Sequence, residues 1–577
     1  MSLDGITLSV IVNELKDLYD AKIERIYQPA RDEVTMYLHT RSGKKRLTLS
    51  ASAADCRIHL TTQTKQNPDK APNFCMVLRK YLLAGRIAGI VQMGLDRIVH
   101  ILIDSKDEMG VICRYTLAVE MMGKYSNLIL CNQDGIILDS IKHVSLDTSS
   151  KRQVLPGLRY VLPPSDKCNP LTASAESLTA LLSGQELPGC LMQHLEGISP
   201  QTAVQICSRY WDTQIPPVLA ATSAPDFVNF VVQQLRDMLD APLPCLQKDM
   251  QGKPVFFSAT PYDAYPASHR ETFDSANVML DTFYSLRIYT QQFKNMQDSL
   301  LRTLRKHITR LEKKVRIHLE TMQGTEKADK FLLHGELLSA NLYQIKRGAS
   351  KAEVYNYYTN EMVTIPLDPA VSPSQNATKF FKKASKMKHG ATLAKEHYEA
   401  DNAELTYLRS LEFDTVSAQD TADLSEVRSE LIRFGYMSLA PREKLKRSDP
   451  LERPRKFITA NGYTVLAGRN SRQNDVLTMR IAEEDDLWFH AKNIPGSHVI
   501  LFTKGTQPPE EDMLQAAILA ASLCRVKNSG KIPIDYVKRK YIWKANGAKP
   551  GMVLYENYRT AMIEPDMQLV SQLEQQS

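Results

Sequence analysis

The sequence predicts a multidomain α+β protein built around a long antiparallel coiled-coil arm. Three observations carry that expectation. The chain has 577 residues, too many for one hydrophobic core, so about three to five domains are expected. Leu301, Ile308, Val315 and Met322 recur every seven residues, with Leu304, Leu311 and His318 in the intervening row. That is the a/d pattern of a coiled coil. Mixed strand and helix patterns precede this stretch, up to about residue 170, and follow it, from about 455 to 565.

The first domain is expected over residues 1–172. "LSVIVNELKDLYDAKI" reads as an amphipathic helix, because Val10, Ile11, Leu15, Leu18 and Ile23 fall near helical spacing. "KIERIYQPARDEVTMYLHTRSGKKRLTLS" reads as strands around turns, with Arg41-Ser42-Gly43 as a hairpin signal. "NFCMVLRKYLLAGRIAGIVQ" reads as a helix stopped at Gly85. "RIVHILIDS" and "YTLAVEMMGKYSNLILCN" read as strands, and "QDGIILDSI" as a hairpin arm opened by Asp-Gly.

Pro156, Pro163, Pro164 and Pro170 mark the first boundary, and short helices fill residues 173–255. Within them, "LMQHLEGISPQTAVQIC" (191–207) has two apolar pieces joined by Gly197-Ile198-Ser199 and resembles a helix-hairpin-helix. Such a turn presents backbone N–H groups to a phosphate. Ser199 replaces its second glycine, so a spacing module is the alternative. The arm is expected over 275–433. Its second helical run, about 376 to 413, contains Ala394, Tyr398, Leu405, Leu408 and Leu411. An insert of strand-like and turn-like pieces, about 325–375, separates the two runs. Residues 441–457 combine prolines with seven basic and three acidic residues and read as an exposed hinge. The last domain, 445–565, has strands at "FITANGYTVLAGR" and "LWFHAK", a helix at "EEDMLQAAILAASLCR", and strands near "YIWKA" and "VLYEN".

The net charge of +7 is mild, but it is clustered. Residues 287–318 carry nine Lys/Arg and two acids; 379–388 hold five lysines and two phenylalanines; 538–549 interleave five basic residues with Tyr541 and Trp543. Cations neutralise phosphates and aromatic rings stack on unpaired bases. Each run taken alone also fits a solvated helix face. Three of them favour a nucleic-acid partner, structured RNA before others.

No catalytic constellation stands out. There is no phosphate-binding loop, dinucleotide fingerprint, zincin motif or nucleophile elbow. The nine cysteines are scattered without a C-x-x-C pair, so reduced thiols are expected rather than zinc or disulfides. No signal peptide is read at the start, and no apolar run reaches the roughly 18 residues of a membrane span. A cytoplasmic protein without metal or cofactor is expected. In "DLWFHAKNIPGSHVI", His490 and His498 lie eight residues apart, but Pro495-Gly496 breaks the register that would align them on one strand. A polar binding face or a structural pair is expected there. Asp96-Arg97 is either a turn with a local ion pair, which contributes roughly 0–1 kcal/mol when exposed, or a recognition element for bases and phosphates.

Five segments in order resemble the NFACT family over nearly the whole chain: "MSLDG", "GLDRIV", "GELLSANLYQI", "IPLDPAVSPSQNATKFFKKASKMK" and "DLWFHAKNIPGSHVIL". The family includes bacterial ribosome quality control factors and the eukaryotic nuclear export mediator factor. The resemblance implies an NFACT-N domain similar to the N-terminal domain of formamidopyrimidine-DNA glycosylases, a helix-hairpin-helix region, a coiled-coil arm with an insert and a C-terminal α+β NFACT-R domain. It implies binding to large ribosomal subunits that hold peptidyl-tRNA. It also implies recruitment of alanyl-tRNA for mRNA-independent C-terminal alanine tailing, which marks nascent chains for degradation. A small S4-like RNA-binding partner, RqcP, assists in the family. Peptidyl transfer belongs to the ribosome, so the chain is expected not to be an enzyme. Glycosylase chemistry needs an N-terminal proline and glutamate, where Ser2 and Leu3 stand here.

By motif, the resemblance points to Asp4, Asp96 and Arg97 for tRNA. It makes Arg305, Lys306, Lys313, Lys314, Lys382 and Lys383 candidates for ribosomal RNA. Trp488, His490, His498, Arg539 and Lys540 become candidates for a binding face of the last domain. The alternative reading is a fibronectin-binding surface adhesin, a label that bacterial relatives often carry. A DNA-processing enzyme is the third reading and lacks its nucleophile.

Overall fold

The computed structural model describes residues 3–575 apart from 108, 148, 150, 213, 251, 440–453 and 527–529. The hinge expected at 441–457 lies outside the described residues as far as 453. The chain divides into two compact units, Met1–Thr290 and Gln291–Ser577.

The first unit opens with helix α1 (Gly5–Glu14). It starts where Asp4 accepts a hydrogen bond from Thr7 N–H at 2.8 Å, an N-cap that sets the helix start earlier than apolar spacing alone indicates. The helix is also shorter than expected: a 3-10 turn at Leu15–Leu18 and Asp20 at φ 67° lead into a strand that already contains Ile23. The next elements are β1 (Lys22–Ala30), β2 (Glu33–Thr40), β3 (Gly43–Ser50), β4 (Arg57–Leu60), α2 (Asn73–Leu82), β5 (Arg86–Gln92), β6 (Ile98–Lys106), β7 (Ile112–Glu120), β8 (Asn127–Cys131) and β9 (Ile137–Ser140). Among the described residues these strands form one antiparallel sheet in the order β4-β3-β2-β1-β5-β6-β7-β8-β9. The expected hairpin glycine, Gly43, sits at φ 115°. α2 ends at Leu82, three residues before the expected stop.

Helices α3 (Ala175–Leu182), α4 (Gly189–His194), α5 (Pro200–Trp211) and α6 (Ala224–Asp240) follow, then a small sheet of β10 (Cys245–Lys248), β11 (Pro254–Ser258) and β12 (Arg270–Thr272). They share one apolar core with α1 and the large sheet. Helix α7 (Ala276–Gln323) begins in this unit. Glu14 anchors its start, accepting from Ala276 N–H at 2.6 Å and Ser275 Oγ–H at 2.6 Å, where a carboxylate meets the positive end of the helix dipole.

In the second unit, α7 continues into α8 (Thr325–Ala340), a hairpin of β13 (Lys351–Asn356) and β14 (Glu361–Pro366), and α9 (Pro373–Ser417) with α10 (Thr421–Arg433). Residues 325–340 are therefore helical where strand-like and turn-like pieces were expected. Ser372 and Gln375 form a capping box that starts α9. α7 and α9 run antiparallel: Gln297 bonds Thr415, Arg305 meets Glu412, Glu312 meets Arg409, and His318 meets Asp401. The seam buries Leu304, Ile308 and Leu311 against Leu405, Leu408 and Leu411, as the heptads predict. At its lower end Leu300 is buried instead of Leu301, which is half-buried.

The C-terminal part comprises β15 (Arg455–Ile458), β16 (Thr464–Ala467), α11 (Ser471–Val476), β17 (Leu487–Ala491), β18 (Val499–Leu501), α12 (Glu510–Ser522), β19 (Ile532–Lys538), β20 (Ile542–Trp543), β21 (Leu554–Tyr555), β22 (Arg559–Ile563) and α13 (Met567–Gln575). Six strands form a sheet in the order β15-β16-β18-β17-β19-β22 among the described residues. One face packs on α12 through Phe489, Val499 and Leu501; the other buries Trp488, Ile500 and Val537. β19, β22 and α13 carry no strong sequence signal and were not anticipated.

Candidate nucleic-acid interface

The first group of predicted residues lies where α1, the β5–β6 turn and the α4–α5 turn meet. Gln92 Nε2 donates to the carbonyls of both Gly5 and Asp96, each at 2.9 Å, so the structure brings the Asp4 end of α1 beside Asp96 and Arg97. Asp96 folds over its own turn, its carboxylate accepting from Arg97 N–H at 2.6 Å. Both side chains are half-buried, and no ion pair engages Arg97 among the described residues. Lys167 is its cationic neighbour: burial first, and then the charge of Arg97, push the Lys167 ammonium below its usual range, against Asp96 and Glu196. The next hairpin adjoins directly, with Met121 N–H donating to Arg97 O at 2.9 Å. It carries Tyr125, 69% exposed, with Lys124 Nζ 4.9 Å from its ring centre. Lys124 and Tyr125 were missed because neither residue belongs to a charge run.

Asp4 has a structural task as well as its neighbours. Besides capping α1 it accepts from Thr202 Oγ1–H at 2.8 Å, which ties it to α5. Gly197 is packed, not presented. Its carbonyl accepts from Gly5 N–H at 3.0 Å. A Cβ on Gly5 would stand 2.5 Å from the Gly197 Cα. The glycine turn thus serves close packing of backbone on backbone.

The arm separates its cations by partner. Arg305 and Lys314 lie 3.3 Å and 3.5 Å from carboxylates of Glu412 and Asp401 on α9. Arg302, Lys306, Arg310 and Lys313 are exposed, and the described residues supply no ion pair for them. Their spacing of three and four keeps them on one helix face over about 16 Å. On α9, Lys382 and Lys386 are exposed in the same way, whereas Lys383 lies 4.1 Å from the centre of the Phe331 ring.

The C-terminal candidates are mostly interior. Trp488 is fully buried and His498 is 2% exposed, which corrects their assignment to a surface. The histidines also correct the register argument. The Pro-Gly segment is a hairpin connection, and β17 and β18 pair antiparallel up to Phe489↔Val499. His490 and His498 therefore meet one step further on, ring centres 5.1 Å apart, both against Trp488. His498 Nδ1 lies 2.8 Å from Thr478 Oγ1. Burial pushes His490 down to about 4 and His498 well below its ordinary value, so both rings are neutral near pH 7. Among the described residues no cluster of three metal-ligating groups exists.

Each cation of the basic run at 538–549 has a partner within the chain, and three of the five meet a carboxylate. Lys538 and Lys540 share Asp485 at 3.0 Å and 3.2 Å. Arg539 donates to the carbonyls of Thr478 and Met479, and Lys544 pairs with Asp475 at 2.7 Å. Lys549 is held by Tyr407, Tyr436 and Phe434, its Nζ 4.6, 5.1 and 5.6 Å from their ring centres.

Residues 4–450 match the family model for the NFACT N-terminal and middle domains, and residues 453–557 match that for the NFACT protein RNA binding domain. The chain belongs to the NFACT family. Among NFACT relatives, the Rqc2 homolog RqcH of Bacillus subtilis is 34% identical over 99% of this chain and 100% of its own length. The Rqc2 homolog RqcH of Streptococcus pneumoniae is 33% identical over the same shares. Among solved structures, the fibrinogen binding protein from Staphylococcus aureus aligns over 49% of this chain and 99% of its own, at 29% identity and TM-score 0.43. The N-terminal part of the fibronectin/fibrinogen-binding protein from Streptococcus suis aligns over 49% and 99%, at 32% identity and TM-score 0.42. No described helix is long and apolar enough to cross a membrane.

Proposed function

We propose that this NFACT protein is a ribosome quality control factor. It binds large subunits that retain peptidyl-tRNA and recruits alanyl-tRNA for mRNA-independent alanine tailing. Similarity to RqcH proteins along 99% of the chain carries the reading. The domains on this reading are a glycosylase-like NFACT-N at 1–172, a helix-hairpin-helix region at 173–255, the arm at 275–433 and NFACT-R at 445–565. Arg97, with Lys124, Tyr125 and Lys167 beside it, takes the tRNA; Asp96 and Asp4 hold that surface in shape. The open stripe at Arg302, Lys306, Arg310 and Lys313 takes ribosomal RNA. The factor works in the cytoplasm with an S4-like partner of the RqcP type. It performs no covalent step, since the ribosome makes the peptide bonds.

Sequencing the RNA that co-purifies with the protein tests this. Enrichment of one tRNA family together with large-subunit RNA is the expected result. Asp96→Ala with Arg97→Ala should abolish tails while the unfolding temperature holds. Binding to immobilised fibronectin without any ribosomal co-sedimentation would favour the adhesin reading instead.

A further inference from the structure

A second polar cluster of the first unit has no role in the reading above. It lines a cleft between the β1–β4 half of the large sheet and the first turns of α7, with about 450 Å³ of space that includes open solvent. Its free interior, about 30 Å³, admits the edge of a small ring rather than a whole ring.

The carboxylates of the cleft are already satisfied. Glu33 accepts from Arg57 at 2.8 Å and from Lys65 at 2.6 Å. Asp281 accepts from Thr61 Oγ1–H at 2.6 Å and Thr62 N–H at 2.9 Å, and His59 Nε2 lies 3.8 Å from it. Those partners, outweighing burial, hold Asp281 well below the usual carboxylate range. Four polar atoms remain without a partner: Arg57 Nε, His59 Nδ1, Tyr284 Oη and Ser285 Oγ. Arg57, His59 and Tyr284 are 4%, 2% and 3% exposed, and all four residues line the cleft. Buried polar groups are nearly always hydrogen-bonded, so four without a partner, two on β4 and two on α7, indicate a missing partner.

The inventory says what kind. Arg57 Nε donates only, and the Tyr284 and Ser285 hydroxyls each have an O–H to donate and lone pairs to accept. Burial lowers the His59 pKa; with Nε2–H toward Asp281, its Nδ1 accepts. Tyr27 and Tyr37 also line the cleft, half-buried with ring centres 5.4 Å apart, as do Gln63, Lys65 and Asn67. Tyrosine faces stack on bases, and Lys65, paired with Glu33, keeps a partly exposed side chain. A pyrimidine edge offers two acceptors to each donor, and its single ring is the smaller fit.

We propose that this cleft reads the Watson–Crick edge of one unpaired pyrimidine of a bound RNA, an inference that rests on the RNA-handling role proposed above. It is separate from the Asp96-Arg97 turn.

The test uses full-length protein freed of RNA by nuclease and high salt, titrated with 5′-UMP, CMP, AMP or GMP by saturation-transfer NMR. UMP and CMP should bind, with the purine nucleotides at least about fivefold weaker. Tyr284→Phe, which keeps the ring 4.4 Å from the Arg57 guanidinium, and Ser285→Ala should each weaken UMP by about threefold to tenfold. Both should unfold at the wild-type temperature. No saturation from any nucleotide would mean a cleft filled by water alone, and overturns the proposal. So do equal affinities for all four, inorganic phosphate competing as well as UMP, or unchanged binding in both variants. Co-purifying tRNA separates the two readings. Normal tRNA enrichment without nucleotide binding sinks the cleft alone. Nucleotide binding without tRNA or ribosomal RNA sinks the quality control role alone.

Discussion

Asp414 offers a quantitative test of how the C-terminal domain is joined to the base of the arm. The side chain is 5% exposed, and its Oδ2 accepts from Ser471 N–H at 2.9 Å and Ser471 Oγ–H at 2.8 Å. Burial, reinforced by the carboxylates of Glu430 and Asp423, raises its pKa from 3.8 to about 7 against those two bonds. A folded pKa above the unfolded one means the folded state holds the proton longer. Stability is then fully present below about pH 4 and is lost as pH rises through about 7. Three units at 1.36 kcal/mol each make the total about 4 kcal/mol, with more than half of it falling between pH 5 and 8. Asp414→Asn removes the charge and keeps an amide oxygen for Ser471. The variant should be more stable than wild type at pH 8 by about 2–4 kcal/mol, with a smaller advantage at pH 5. Urea unfolding followed by tryptophan fluorescence measures this, since Trp488 is fully buried in the same unit. An Asp414→Asn protein with the wild-type pH slope, or no gain at pH 8, would refute the reasoning.

Two further tests address the RNA surface. Replacing Arg302, Lys306, Arg310 and Lys313 together by Gln should flatten the log K against log salt slope for large subunits by about 0.7–0.9 per lost phosphate contact, measured by sedimentation across a KCl series; Arg305→Gln with Lys314→Gln, already paired to α9, should change it less. Asp4→Ala should destabilise the first unit by about 1–2 kcal/mol through the lost cap, read by thermal unfolding, whereas Asp4→Asn should retain most of that stability, so tails lost in Asp4→Asn alone would reveal contact with tRNA beyond the cap.

Periodicity made the arm legible because one seam decides it. Leu304, Ile308 and Leu311 recur at coiled-coil spacing and are buried together in one seam. Most N-terminal strands were legible too, bounded by turn residues such as Arg41-Ser42-Gly43, but β4 was not read and β5 lies in the segment read as a helix stopped at Gly85. Helix ends were less so. α1 begins at Gly5 because of a hydrogen bond from Thr7 to Asp4, and it ends in a 3-10 turn that apolar spacing does not distinguish from more helix. β19 is defined by pairing with β17 on one side and β22 on the other, and β22 by pairing with β19, a property of the folded sheet rather than of either segment.

The site shows where residue counting stops working. Charge density singled out 538–549, five basic residues interleaved with Tyr541 and Trp543, yet Asp475 and Asp485, both more than fifty residues earlier, meet three of its lysines. Their partners arrive through the sheet, so the run is a structural seam. The arm keeps its open cations for the opposite reason: α7 packs on α9 and α10 through one seam, and acids on α9 reach only the residues that face it. His490 and His498 fail in the same way as the lysines. Counting along one strand separates them across a Pro-Gly break, while counting across a hairpin brings them together against Trp488. Two neutral imidazoles in that position pack and hydrogen-bond. Their packing against buried Trp488, with His498 itself 2% exposed, makes the motif part of the sheet's interior rather than of its surface.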